Sequence, residues 1–200
     1  VDRAQLLDGN WDIRATAGSF FARTDFEVVD AAPLGGKIVR AWDQAGTDKK
    51  KPSDDPDWTV GFKMQKAPDG TIYCLGVDRF RVDSSTDDQR IQNTASQDGK
   101  GVTIRLAQDP GQAGKSQARH QTKMLSGYTV KSKLVTGDKT VRAKPFASQV
   151  QAGNVKVARG SWNEEFFKEL ESFPEGGHDD IVDAASDAFD ELSGPEFLFM

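Results

Sequence analysis

The sequence predicts an α/β fold with one mixed β-sheet and helices on both of its faces. Three β-type segments follow one another, helical and β-type segments then alternate, and two helices close the chain. The 200 residues are 36% hydrophobic and 28% charged, as in an ordinary globular domain. A β-meander followed by βα units places parallel strands beside antiparallel ones, which is why the sheet is expected to be mixed.

Hydrophobic periodicity and turn residues define the elements in order. Apolar and alternating runs indicate strands, while Gly, Pro and Asp clusters between them indicate turns. Capping-box spacing at Thr86 and Gln89, and again at Ser161 and Glu164, marks the start of two helices. The predicted strands are 37–45, 59–65, 71–82, 102–108, 128–135 and 155–159. The predicted helices are 86 to 99 or 101, 113–125, 139–151, 161–173 and 178–192.

Cysteine content and charge limit the possible function classes. Cys74 is the only cysteine, which excludes an intrachain disulfide and a thiolate zinc cluster and favours a reducing, intracellular setting. The net charge of −5 argues against a general nucleic-acid binder, but charge is unevenly distributed. Residues 115–144 contain eight basic residues and one acidic residue, whereas residues 164–196 contain twelve acidic residues and one basic residue. This pattern suits either two solvated faces or a nuclease with separate phosphate and metal surfaces.

Acidic residues lie where strands end and along the last helix. Asp43 and Asp109 each follow a predicted strand, and ligand sites of open α/β sheets gather at the carboxyl ends of strands. Converging carboxylates repel one another unless a cation neutralises them, and hard divalent ions such as Mg²⁺ or Mn²⁺ prefer oxygen ligands. Two such ions would support phosphodiester hydrolysis. The acids of the last helix share one side of it, opposite its apolar residues: Asp179, Asp180, Asp183, Asp187, Asp190 and Glu191.

Simpler interpretations of the same residues remain open at this point. Asp43 and Asp109 also suit turns, and acids at a helix start are favoured by capping and by the helix dipole. The acids further along the last helix, Asp183, Asp187 and Asp190, suit a solvated face better than a set of metal ligands.

Five segments resemble the nuclease domain of tailed-phage large terminase subunits, and they occur in that family's order. The closing segment at residues 173–188, FPEGGHDDIVDAASDA, is similar to the family's last motif. The others are RAWDQAGT at 40–47, QDPGQAGK at 108–115, TGDKTVRAKPFASQVQAGNV at 136–155 and RGSWNEEF at 159–166. Residues 6–12, LLDGNWD, are similar to the stretch that joins the ATPase and the nuclease in that family.

The resemblance implies an RNase H-like fold and a two-metal endonuclease that cuts concatemeric viral DNA during genome packaging. The expected cofactors are two divalent cations, Mg²⁺ or Mn²⁺. The expected partners are double-stranded DNA, the portal, the small terminase subunit and an ATPase domain, in the cytoplasm of the host. The implied domains are a lead-in at 1–36 from an absent ATPase domain, the nuclease at 37–192, and a tail at 193–200.

The resemblance also assigns residues. Asp43 matches the metal ligand of the first strand, Asp109 the second acid, and Asp179 with Asp180 the pair on the last helix, between which the sequence does not choose. Asp183, one turn on, is an outer candidate. His178 suits orienting a carboxylate or contacting the scissile phosphate, and it suits capping or packing equally well. The candidates for contact with the DNA backbone are Lys115, Lys139, Arg142 and Lys144.

A nucleotide-binding loop is excluded, and two other functions stay open. Gly114-Lys115-Ser116 would need glycine at position 109, where the chain has aspartate. One alternative is another RNase H-like nuclease, such as a junction resolvase or ribonuclease H. The other is a module that grips DNA or docks on the packaging motor without strong cutting.

Overall fold

A single seven-stranded sheet organises the structure, a computed structural model that describes residues 20–45, 58–82 and 84–194. The strand order across the sheet is β1-β7-β4-β3-β2-β5-β6. The strands are β1 (Glu27–Val29), β2 (Lys37–Asp43), β3 (Thr59–Lys66), β4 (Ile72–Phe80), β5 (Val102–Gln108), β6 (Val130–Leu134) and β7 (Val155–Ala158). The helices are α1 (Ser84–Asp98), α2 (Gln112–Met124), α3 (Lys139–Gln151), α4 (Asn163–Ser172) and α5 (Asp180–Ser193), with a short 3₁₀ helix at Arg23–Asp25.

The sheet is mixed, as the order of elements predicts. Strands β2, β3 and β4 form an antiparallel meander at its centre. Strands β5 and β6 extend it in parallel beyond β2, and β7 and β1 extend it in parallel beyond β4. Because β2 and β5 are parallel neighbours, their carboxyl ends lie at the same edge of the sheet.

Helices cover both faces of the sheet, which confirms the predicted layering. One core cluster joins the sheet to α3, α4 and α5, and the other joins it to α1 and α2. Val39 and Ala41 of β2 belong to the first cluster and Trp42 to the second, because side chains alternate along a strand. The apolar side of α5 is buried as predicted, through Ile181, Val182, Ala185, Ala188, Phe189 and Leu192.

A glycine opposite Trp42 makes room for the largest side chain of the second cluster. Gly61 pairs with Trp42 across β2 and β3, and a Cβ at position 61 would lie 2.6 Å from the indole ring. The indole then packs against Phe80, with the ring centroids 5.9 Å apart.

The sequence did not predict strand β1, which lies within the segment assigned to the lead-in. Val28 pairs with Val157 of β7, and Phe21 and Phe26 lie in the core cluster beneath the sheet. The described part of the lead-in therefore packs on the nuclease sheet itself, and a domain boundary at residue 36 stays a prediction. The LLDGNWD segment and the tail from residue 195 lie outside the described residues.

Two helix starts differ from the capping-box prediction. Helix α1 begins at Ser84 rather than Thr86, and α4 begins at Asn163 rather than Ser161. At α4 the Asn163 side chain accepts a hydrogen bond from the Gly160 N–H at 2.8 Å. Among the helices described, none is long and apolar enough to cross a membrane.

Candidate active site

A polar cleft of about 440 Å³ lies at the sheet edge where β2 and β5 end. Asp43 is the last residue of β2, and Asp109 directly follows β5, so the parallel pairing of these strands brings both acids to the cleft. Asp183 of α5 lines it as well. Three acids that together span 140 residues of the chain, from Asp43 to Asp183, therefore line one cavity.

Asp43 lies in the most strongly perturbed environment of these acids. Its side chain is on the same face of β2 as Val39 and Ala41, the face that α5 covers. Burial, followed by the negative charges of Asp183, Asp180 and Asp187, raises the pKa of Asp43 well above its usual range, and Arg142 opposes this shift. The site therefore disfavours a charged Asp43 unless a cation is close.

Arg142 supplies the positive charge within this group of acids. It projects from α3, is largely buried, lines the cleft and forms an ion pair with Asp183. Burial raises the pKa of Asp183 as well, and Arg142 opposes that shift. A guanidinium is thus the counter-ion of the acidic cleft.

Asp179 and Asp180 lie beside the cleft and are absent from its described lining. Asp179 is the residue preceding α5, and its carboxylate pairs with Lys139. Asp180 is buried, with its carboxylate 3.7 Å from Nδ1 of His178. The His178 Nε2 atom lies 3.3 Å from a guanidinium nitrogen of Arg81. Asp180 still acts on the site through its charge, because it contributes to the raised pKa of Asp43.

Glu169 of α4 holds the start of α5 in place. Its buried carboxylate accepts a hydrogen bond from the Ile181 N–H at 2.5 Å, at an end of the helix where backbone donors have no partner within the helix. Burial raises the pKa of Glu169 to about 7. The position of the acids on α5 therefore depends on a contact from the preceding helix.

A close backbone contact positions Asp109. Gly114 of α2 lies against the Asp109 peptide, and a Cβ at position 114 would be 2.2 Å from the Asp109 carbonyl oxygen. Only glycine permits the helix to come this close to the loop. Asp109 itself is exposed, with its side chain at the mouth of the cleft.

Sequence reasoning missed a second group of polar residues in the cleft. Asp87 and Asp88 of α1 line it, together with Gln44. The Asp88 carboxylate accepts from Gln121 at 3.1 Å, and Gln121 also donates to Gln44 at 2.6 Å. The predicted meander could have indicated these residues, because β4 ends at the same sheet edge as β2 and the chain then enters α1.

Of the acids further along α5, Asp190 is exposed, but Asp187 does not lie on the solvated face that their spacing suited. Asp187 is buried and accepts from Arg105 of β5 at 3.1 Å, and Asp190 accepts from the same guanidinium at 3.1 Å. That interpretation is wrong for Asp187, because β5 places a buried arginine directly beneath it. Packing of α5 on the sheet buries part of its polar side and neutralises it there.

The basic candidates fall into two groups. Lys139 and Arg142 are bound to acids of the site, whereas Lys115 of α2 and Lys144 of α3 are exposed. Within the described ranges, no three His, Cys, Asp or Glu side chains already form a group that could hold a metal ion. Asp43, Asp109 and Asp183 share the cleft, where Arg142 neutralises Asp183, and Lys139 neutralises Asp179 beside it.

Solved structures with the same fold define the class of domain. The Thermus phage P74-26 large terminase nuclease domain has a TM-score of 0.59 at 16% identity, over 90% of this chain and 97% of that chain. The large terminase nuclease of thermophilic phage G20c with bound zinc has a TM-score of 0.57 at 17% identity, over 84% and 95%. The human cytomegalovirus terminase nuclease domain, Mn-soaked and inhibitor-bound, has a TM-score of 0.58 at 14% identity, over 79% and 83%. The fold is therefore that of these terminase nuclease domains.

The family follows from the sequence itself. Residues 40–192 match the model of the terminase RNase H-like domain, so the chain belongs to that family. A comparison with curated protein sequences gave no match. The predicted family and fold are both confirmed.

Proposed function

We propose that this domain is a metal-dependent DNA endonuclease that cuts concatemeric viral DNA during genome packaging. The observation that supports it best is the cleft where Asp43, Asp109 and Asp183 meet at the carboxyl ends of two parallel strands. Membership of the terminase family supports DNA as the substrate and packaging as the context.

The residues of the cleft fit hard divalent cations. All of the candidate ligands are carboxylates, and the pKa of Asp43 is raised by burial and then by the negative charges around it, both of which a bound cation would offset. Related terminase nucleases are described with bound magnesium, zinc or cobalt, or after soaking in manganese. We propose two Mg²⁺ or Mn²⁺ ions here, which when bound would supply a water nucleophile and stabilise the leaving oxygen.

The proposed ligands are Asp43, Asp109 and Asp183, with Asp179 and Asp180 adjoining. Asp183 lines the cleft, whereas Asp179 is held outside it by Lys139. The geometry therefore favours Asp183 over Asp179 as the ligand from α5. Because no ligand group is formed in advance among the described side chains, we propose that the metal competes with Arg142 for the Asp183 carboxylate.

The same ion pairs favour a second candidate function. A domain whose acids are already neutralised by Arg142 and Lys139 could grip DNA or dock on the packaging motor without cutting. Metal-dependent cleavage separates this candidate from the nuclease. A panel of duplex DNA, branched DNA and RNA–DNA hybrid separates a terminase nuclease from a resolvase or ribonuclease H.

The wider assembly is part of the proposal. We propose that the portal, the small terminase subunit and an ATPase domain are partners, and that the domain acts in the cytoplasm of the host cell. The family supports a larger terminase complex, since the matched domain is one part of a terminase. Residues 1–36 would connect to the ATPase domain.

Plasmid nicking and linearisation in Mg²⁺, Mn²⁺ or EDTA tests the proposal. Asp43→Asn, Asp109→Asn and Asp183→Asn should each abolish metal-dependent cutting, while Asp179→Asn should retain more activity. Asp30→Asn, which removes an exposed carboxylate paired with Arg159, is the matched control. Metal-induced stabilisation against heat should disappear with the activity. Equal cutting by the Asp43 variant and the parent chain would contradict the site, and absence of any cutting would favour the gripping module.

A further inference from the structure

A basic groove borders the cleft on the outer side of α2. Three cations on this helix, Lys115, Arg119 and Lys123, line a groove of about 700 Å³. They are spaced four residues apart, so they form a stripe about 12 Å long on one side of the helix. The remaining lining consists of small or neutral residues, Gln108, Ala118, Thr122, Ser126 and Ser132.

The charge of this groove is not neutralised by the protein. No ion pair involves Lys115, Arg119 or Lys123 in the part of the chain that the structure describes. The other cations of the basic middle segment behave differently, since Lys131 pairs with Glu191 and Lys133 with Asp190. Three adjacent cations without acidic neighbours in the groove lining create a local positive potential in a chain of net charge −5.

The groove is continuous with the candidate active site. Gln108 and Ala118 line both cavities, with Gln108 at the end of β5 next to Asp109. A polyanion lying along α2 would therefore lead directly to the acidic cleft.

We infer that this groove binds the sugar-phosphate backbone of the DNA beside the bond to be cut, and that Arg119 and Lys123 act there together with Lys115. Lys139 and Arg142 neutralise the acids instead, because each forms an ion pair with an acid of the site. The lining offers cations, hydroxyls and an amide, which suit phosphate contacts that do not depend on sequence. The inference rests on the proposed DNA substrate but not on cleavage.

The test measures DNA binding without catalysis. A fluorescent DNA duplex is titrated in EDTA at several salt concentrations, and the dissociation constant is read from anisotropy. The groove variant is Lys115→Gln/Arg119→Gln/Lys123→Gln. The control, Lys66→Gln/Lys100→Gln/Lys168→Gln, removes the same charge from residues that do not line the groove. Circular dichroism and thermal melting verify that both variants are folded.

The groove variant should bind at least about tenfold more weakly than the control, because counterion release weakens with each lost phosphate contact. The slope of log K against log salt should fall by about 0.9 for each contact, hence by about 2–3 for the triple variant and about 0.9 for Arg119→Gln alone. Equal affinities and slopes for groove and control variants would overturn the inference. Binding is measured without metal, so loss of binding in the groove variant would support the groove even if the domain proved unable to cut.

Discussion

Replacing Arg142 with glutamine removes the cation that the structure places among the site acids. Asp43, Asp183 and Asp187 all have a pKa raised by burial and lowered by Arg142. Without the guanidinium these carboxylates are buried beside one another with less positive charge nearby. Breaking a buried ion pair by removing one partner costs about 3–5 kcal/mol. For a domain of this size that corresponds to a fall in Tm of roughly 6–20 °C.

The loss of Tm in the Arg142→Gln variant should depend on pH, and the direction of the pKa shifts determines whether it grows or shrinks as the pH rises. A carboxyl whose pKa is higher in the folded state than in the unfolded state destabilises the fold as pH rises through that interval. Arg142 offsets this effect near pH 7, because its positive charge stabilises the ionised carboxylates. At pH 5 more of them hold protons, so the Arg142→Gln variant should lose less Tm there than at pH 7.

Thermal melting at both pH values, with and without Mn²⁺, is the assay. Arg159→Gln is the control, because its ion pair with Asp30 is exposed and should contribute no more than about 1 kcal/mol. We expect Mn²⁺ to raise the Tm of the Arg142 variant more than that of the parent chain, since the metal no longer competes with the guanidinium. A loss no greater than that of the control, or equal at pH 5 and pH 7, would refute the reasoning.

Three further outcomes are expected. Gly114→Ala should lower both cleavage and Tm, because the added Cβ would lie 2.2 Å from the Asp109 carbonyl oxygen. Gly101→Ala is the control and should have little effect, because there is open space around Gly101. Equal activities of the two variants would contradict the close contact. In the parent chain, the free energy of unfolding should fall by up to about 3 kcal/mol between pH 4.5 and 7, because the pKa of Glu169 is raised to about 7 in the fold. Glu169→Gln should remove this fall. Urea unfolding across that pH range measures it, and the same pH dependence of the unfolding free energy in variant and parent would refute it. Cys74 should resist alkylation until the chain unfolds, because burial raises the pKa of its thiol, and labelling followed by mass spectrometry would reveal any reaction in the native state.

Local signals account for the elements that the sequence predicted most accurately. The bounds of β5 and α3 match the prediction because turn residues and caps lie at their ends. Asp138, for example, accepts from the Thr140 N–H at 2.8 Å at the start of α3. Strand β1 went unpredicted because three residues are too few to show a period, and only its pairing with β7 makes them a strand.

The candidate site likewise has one part that local sequence determines and another that depends on tertiary contacts. Sequence alone determined the mixed α/β fold, the family and the placement of Asp43 and Asp109 at strand ends, because strand ends and motifs depend on residues that are adjacent in the chain. The tertiary structure decided which acids of α5 face the cleft, that Arg142 neutralises them, and that the cations of α2 stay unpaired within the described residues. Those outcomes depend on how α5 is rotated on the sheet and on which charges α3 and β5 bring to it. Contacts between residues far apart in the chain control that rotation, and a pattern of neighbouring residues does not predict such contacts.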